Sequence, residues 1–201
     1  MSDPGVSSQF LSRFVETTAV ELGEERFHTV LALSKLPGEW TAPHSFQKMD
    51  AARSAAAYAT LQSAIRMYFG RGGRGVLLRI GERLWHLLLE EAAFGDRAQA
   101  VVVRRLPLDA RRKRVLELLA RLLSAQPGDI SIHTLDRDLL LADHASPTTS
   151  GIEEPQSVCF VTQGLIQESL YWATGQRYDV QESSCRARGD NDCEFKITIA
   201  N

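Results

Sequence analysis

Glu182-Ser183-Ser184-Cys185-Arg186-Ala187-Arg188-Gly189-Asp190-Asn191-Asp192-Cys193 is the stretch on which the fold turns. Upstream of it Tyr178, Val180 and Glu182 alternate along the chain, and downstream Cys193, Phe195, Ile197 and Ile199 do the same. Alternation with period two on both sides of a Gly-Asp-Asn-Asp turn predicts an antiparallel hairpin with one buried face. Parity raises one difficulty. If Glu182 shares a face with Tyr178 and Val180, Cys185 falls on the other face, so the spacing predicts a bulge or a strand end at Ser183 and Ser184.

Working outward, residues 155–174 read as a helix with Pro155 in its first turn and Gly175 as its stop. Residues 129–135 and 138–143 read as a second hairpin, with Ile130, Ile132, Leu139 and Leu141 turned inward, and 145–154 as a loop rich in Ser, Thr, Pro and Gly. Everything earlier is helical. Helices are expected over 7–22, 24–35, the alanine-rich 46–69, from Val76 through Leu77, Ile80, Leu84, Leu87 and Leu88, and over 109–125. In the last of these Leu116, Leu119, Leu122 and Leu123 face inward and Arg111, Arg112 and Lys113 outward. Residues 36–45 read as a linker, and Gly70-Arg71-Gly72-Gly73-Arg74-Gly75 as a tight break between helices. The expectation is an α+β fold, with N-terminal helices packed on a small antiparallel sheet made of two hairpins separated by a helix. The division expected is 1–45 as a helical extension or dimerisation segment and 46–201 as the ligand-binding domain.

Composition narrows the function classes. An apolar fraction of 44% and a charged fraction of 24% over 201 residues are those of an ordinary globular chain that closes a core unaided. A formal charge of −2 gives no overall pull toward nucleic acid or an anionic membrane, and the basic runs at 104–105 and 111–114 read as solvated helix faces. No apolar run approaches a bilayer span, and the first residues lack the pattern of a secretory leader, so a cytoplasmic location is expected.

The three cysteines are an odd number, and all lie after residue 158. In a reducing compartment clustered thiols point to metal or chemistry rather than to disulfides. The terminal hairpin can gather Glu182, Cys185 and Cys193, and Cys159 can join them if the preceding helix packs across the sheet. Three thiolates and a carboxylate suit tetrahedral zinc, and four protein ligands leave no open position, so the ion would be structural. Arg177, Arg186, Arg188 and Lys196 are near enough in sequence to offset the excess negative charge. The same residues read equally as small buried core groups, since free cysteine often packs as one.

The segment 159–199 resembles the 4-vinyl reductase domain family. The matching features are Cys159 with Gly164 on a helix, Gly175 before a strand, and Glu182-x-x-Cys185-x-Ala187-x-Gly189-Asp190-x-x-Cys193-x-Phe195. Arg79-Ile80-Gly81 lies in a stretch similar to the glycine-rich part of these domains. The resemblance extends to the zinc-containing sensory domains of regulators that respond to phenols and other aromatics. It implies zinc at Cys159, Glu182, Cys185 and Cys193, a small-molecule-binding fold related to vesicle-tethering subunits that hold an acyl chain, and a homodimer. The family's namesake acts in bacteriochlorophyll synthesis. The function implied is binding of a hydrophobic small molecule such as a chlorophyllide-type tetrapyrrole. The alternatives are a sensor for an aromatic or lipid effector working through a partner protein, and a vinyl reductase or its accessory subunit. Reduction needs a hydride or electron donor. Gly70-x-Gly72-x-x-Gly75 formally matches a dinucleotide fingerprint, but a helix precedes it and no βαβ unit surrounds it. The reading therefore leans away from an enzyme. Candidate pocket residues are His86, His133, Trp85, Tyr171 and Trp172, each with a plain alternative as core aromatic or surface histidine.

Overall fold

The computed structural model describes residues 4–46 and 49–199, with residues 43 and 44 described by their backbone alone. Among the described residues seven α-helices and four strands are laid out in the order α1 (Ser8–Leu22), α2 (Glu24–Ser34), α3 (Ala51–Phe69), α4 (Gly73–Glu91), α5 (Phe94–Val103), α6 (Leu108–Leu123), β1 (Ile130–Leu135), β2 (Asp138–Asp143), α7 (Phe160–Thr174), β3 (Asp179–Ser184) and β4 (Cys193–Thr198). This is an α+β fold with one antiparallel sheet in the order β1-β2-β4-β3. The two hairpins join where β2 pairs with β4, setting Leu139 opposite Ile197 and Leu141 opposite Phe195. These four side chains, with Val180 on β3, are buried on one face, while the alternate Lys196 is exposed.

α7 is the hub. It packs on α4, on α6 and on β3, and α4 in turn packs on α1 and α3. The α4–α7 crossing is close because glycines face backbone from both sides. A Cβ on Gly81 would stand 2.2 Å from the Val161 carbonyl oxygen, and one on Gly164 would stand 2.2 Å from that of Leu78. Phe14 and Leu11 of α1, Phe27 of α2, Leu61 of α3, Trp85 of α4, Leu119 of α6 and Phe195 of β4 belong to one contiguous buried cluster. No helix among the described residues is long and apolar enough to cross a membrane.

Several boundaries differ from expectation, each for a local reason. α3 starts at Ala51, not at 46, because the Asp50 carboxylate accepts from the Arg53 N–H at 2.8 Å and caps the helix; residues 47 and 48 lie outside the described residues. α7 starts at Phe160, not at Pro155, because the chain before it is tied elsewhere: the Glu154 N–H donates to the Ala187 carbonyl at 2.9 Å. Cys159 is therefore the N-cap rather than a first-turn residue. Arg112 is buried, not outward. Its guanidinium donates to the Tyr178 hydroxyl at 2.9 Å and to Asp109 at 2.7 Å, and lies 5.3 Å over the Tyr178 ring. α5 buries only Ala100 and Val103, with Phe94, Val101 and Val102 facing solvent, and the sequence reading places no helix there.

Candidate metal centre

The terminal hairpin and the start of α7 converge on four acidic side chains. One donor atom from each of Cys159, Glu182, Cys185 and Cys193 lies within 4.8 Å of all the others. The Cys159 sulfur is 3.5 Å from that of Cys193 and 4.0 Å from that of Cys185. All three thiols are free and fully buried. A disulfide would need sulfurs roughly 2.05 Å apart, so this is not a poorly closed bridge.

Local structure explains the convergence. Glu182 pairs with Phe195 and Ser184 with Glu194, so Ser183 is an extra residue in β3. That bulge moves Cys185 to the face of Glu182, which resolves the parity difficulty. After Cys185 a short 3-10 turn ends at Gly189 with φ 92°, a conformation that turns the chain back on itself. Asp190 then accepts from the Cys185 N–H at 2.8 Å, and this bond, supported by Arg188, holds its carboxyl below the usual range. The Arg186 N–H reaches the Cys193 sulfur at 3.4 Å. Across the site the Cys159 N–H donates to Glu182 Oε2 at 3.0 Å, and Gln163 Nε2 donates to the Val180 carbonyl at 2.6 Å, locking the first turn of α7 onto β3.

Without a cation this arrangement is costly. Burial pushes the Cys159 thiol well above its ordinary value, and the neighbouring thiols push it further. Burial also raises the Glu182 carboxyl to about 8, and its Oε1 is buried with no hydrogen-bond partner. A divalent ion answers both problems. Sulfurs roughly 2.3 Å from a tetrahedral zinc lie roughly 3.8 Å from one another, and the observed 3.5 and 4.0 Å bracket that spacing. A carboxylate oxygen of Glu182 would complete the donor set. The cations near in sequence are mostly committed elsewhere: Arg177 to Glu82, Lys196 to Asp138 and Arg188 to Asp190, while the Arg186 side chain donates to the His144 carbonyl. Neutralisation by those side chains is thus weaker than the sequence suggests.

Comparison with known proteins places this region. Residues 143–199 match the family model of the 4-vinyl reductase domain, a span that includes all four donors. No curated protein sequence matches the chain. An H-NOX protein from S. oneidensis in the Fe(II)NO ligation state superposes with TM-score 0.56 at 12% identity, covering 97% of this chain and 99% of that one. A trafficking protein particle complex subunit 3 from Naegleria fowleri, covalently bound to palmitic acid, gives 0.57 at 12% identity over 73% and 93%. The phenol-responsive sensory domain of the transcription activator PoxR gives 0.49 at 13% over 71% and 72%. At such identities the first two likenesses speak to the fold.

The candidate pocket residues are dispersed over α4, β1 and α7. Trp85 is fully buried and meets Trp172 edge-on with centroids 5.6 Å apart; its indole N–H has no partner. Tyr171 is exposed beneath the Arg177 guanidinium. His86 pairs with Glu168 at 3.0 Å on the surface. His133 is exposed on β1, 2.8 Å from the Ser131 hydroxyl. None of the five lines the cleft that opens beside the Cys159, Glu182, Cys185 and Cys193 cluster. That cleft, of about 750 Å³, runs between the α3–α4 junction and residues 154–160, with Arg66, Arg71, Arg74, Val158, Phe160 and Glu182 in its walls. Sequence reasoning passed over the three arginines, although their grouping around the glycine-rich break was visible.

Proposed function

We propose that this chain is a zinc-stabilised small-molecule-binding domain of sensor type. One observation carries it: three buried thiols and the half-buried Glu182 carboxylate, from two separate parts of the fold, meet at a spacing that suits a closed tetrahedral site, and Glu182 also walls the neighbouring cleft. Zinc there would neutralise buried thiolates and clamp α7 to the hairpin, a structural role with no position left for substrate. The cleft has the size of a small-ligand site. That proteins of this fold are described with NO on Fe(II) and with palmitic acid is an analogy of fold, and it supports a ligand-binding reading only at that level. The finer expectation is a hydrophobic ligand such as a chlorophyllide-type tetrapyrrole.

Metal analysis of protein purified without added metal tests the first half: about one zinc per chain is expected, and iron or an empty site overturns it. Mass spectrometry and absorption spectroscopy of an organic extract test the second. A small molecule bound in stoichiometric amount is expected, a pigment pointing to the tetrapyrrole and a colourless aromatic or lipid to a sensor; an extract with nothing bound counts against the reading.

A further inference from the structure

We propose that the cleft beside Glu182 binds the oxyanion head, carboxylate or phosphate, of a small amphipathic molecule through Arg66, Arg71 and Arg74. The proposal rests on the small-molecule reading above and names the chemical class of the ligand.

Three guanidiniums reach the cleft from one bend of the chain: Arg66 from the last turn of α3, Arg71 from the short 3-10 turn that follows, and Arg74 from the first turn of α4. Arg66 is largely buried, its side chain 16% exposed. Its Nη2 donates to the Ser63 hydroxyl at 2.9 Å and to Glu154 at 3.3 Å, but its Nη1 is buried without an acceptor. A desolvated guanidinium nitrogen left unpaired is unfavourable, and an incoming oxyanion supplies the missing acceptor. Arg71 and Arg74 have no carboxylate partner among the described residues. The Arg74 guanidinium lies 5.7 Å over the Phe160 ring, a stacking that leaves its in-plane N–H donors free.

The carboxylates in the same walls do not cancel this charge. Glu154 is taken by Arg66, and Glu182 Oε2 by the Cys159 N–H on the metal side. Two guanidiniums therefore remain to attract an anion. Pro155, Val158 and Phe160 form an apolar strip in the same cleft, suited to a short hydrocarbon or ring. Gly70 lines the mouth with φ 52°, and a Cβ built there meets nothing within 4 Å, so the cleft is open at this point. The glycine-rich stretch that imitates a dinucleotide fingerprint thus has a use of its own: it lets the chain bend sharply enough to bring three arginines together.

Isothermal titration of the zinc-loaded full chain with octyl phosphate, octanoate, octanol and inorganic phosphate tests this. At least one of the two amphipathic anions is expected to bind at least about tenfold more tightly than octanol, weakening as salt is raised. Stronger octyl phosphate identifies a phosphate head and stronger octanoate a carboxylate, while inorganic phosphate alone binds more weakly for want of a tail. The Arg71→Ala, Arg74→Ala double variant is expected to lose at least about tenfold of that binding with zinc content and Tm unchanged, both side chains being exposed. Equal binding of octanol, undiminished binding by the double variant, or no binding by any probe overturns the proposal. Because zinc content is read on the same samples, failure of the metal reading shows separately.

Discussion

α7 is held at two places by opposite means. At its middle, Gly164 and the facing Gly81 of α4 bring two helix backbones together through the absence of side chains, with no ionisable group involved. At its start, Cys159 meets two further thiols and a carboxylate, a contact that on the reading proposed above is stabilised by a cation. The first attachment is steric and does not itself draw on protonation or on metal. The second is conditional. On that reading, a helix fastened in both ways keeps the core intact while the hairpin end tightens or loosens with metal.

The largest effect should come from the steric attachment. Gly164→Ala places a methyl group 2.2 Å from a backbone oxygen that cannot rotate away, so the helices must separate. A loss of about 3 kcal/mol or more, or failure to fold, is expected in chemical denaturation. A variant as stable as the parent would show the crossing to be looser than described. Cys185→Ser should come next. Loss of one zinc ligand should weaken metal binding by at least about 100-fold and lower Tm by roughly 5–10 °C, with α4, α6 and the helical circular dichroism retained. If Cys185→Ser keeps its zinc and its Tm, the donor assignment is wrong. Should it stay folded yet lose ligand binding altogether, the metal is functional rather than structural.

The smallest effect separates the two attachments by pH. The folded-state value of Glu182, about 8, lies above its ordinary 4.5. In metal-free protein its protonated form therefore contributes stability that is complete below 4.5 and is lost as pH rises through about 8. Zinc needs the same oxygens and sulfurs deprotonated, so its contribution grows in the opposite direction. The gap in Tm between zinc-loaded and chelator-treated protein should accordingly be widest near pH 8 and shrink toward pH 5. A gap that does not change with pH would mean that proton and metal do not compete for these atoms.

The two attachments were not equally legible. Cys159, Glu182, Cys185 and Cys193 stand out because thiol and carboxylate chemistry is written in residue type, and the parity of β3 even demanded the bulge at Ser183. Gly81 and Gly164 are legible only as glycines; that they face each other's helices is a matter of crossing geometry. Arg112 misled, because a basic residue on a charged helix face reads as solvated until Tyr178 arrives from 66 residues away to cover it. The start of α7 misled for a related reason: Pro155 suits a first turn, but the backbone before Phe160 is bonded to the far hairpin. Trp85 and Trp172 do meet, yet in a packed edge-on pair, while His86, His133 and Tyr171 lie at the surface.

By itself the chain's order of residues marked the two hairpins, the helix between them and the four side chains that gather at the hairpin end, since periodicity and side-chain chemistry are local properties. Only the tertiary structure decided that Glu182 serves both the closed cluster and the open cleft, and that Arg66, Arg71 and Arg74 face it with charge to spare. Those facts depend on which surfaces are brought together across more than 80 residues of chain, as in the Arg66–Glu154 contact, and no local pattern encodes a distance of that kind.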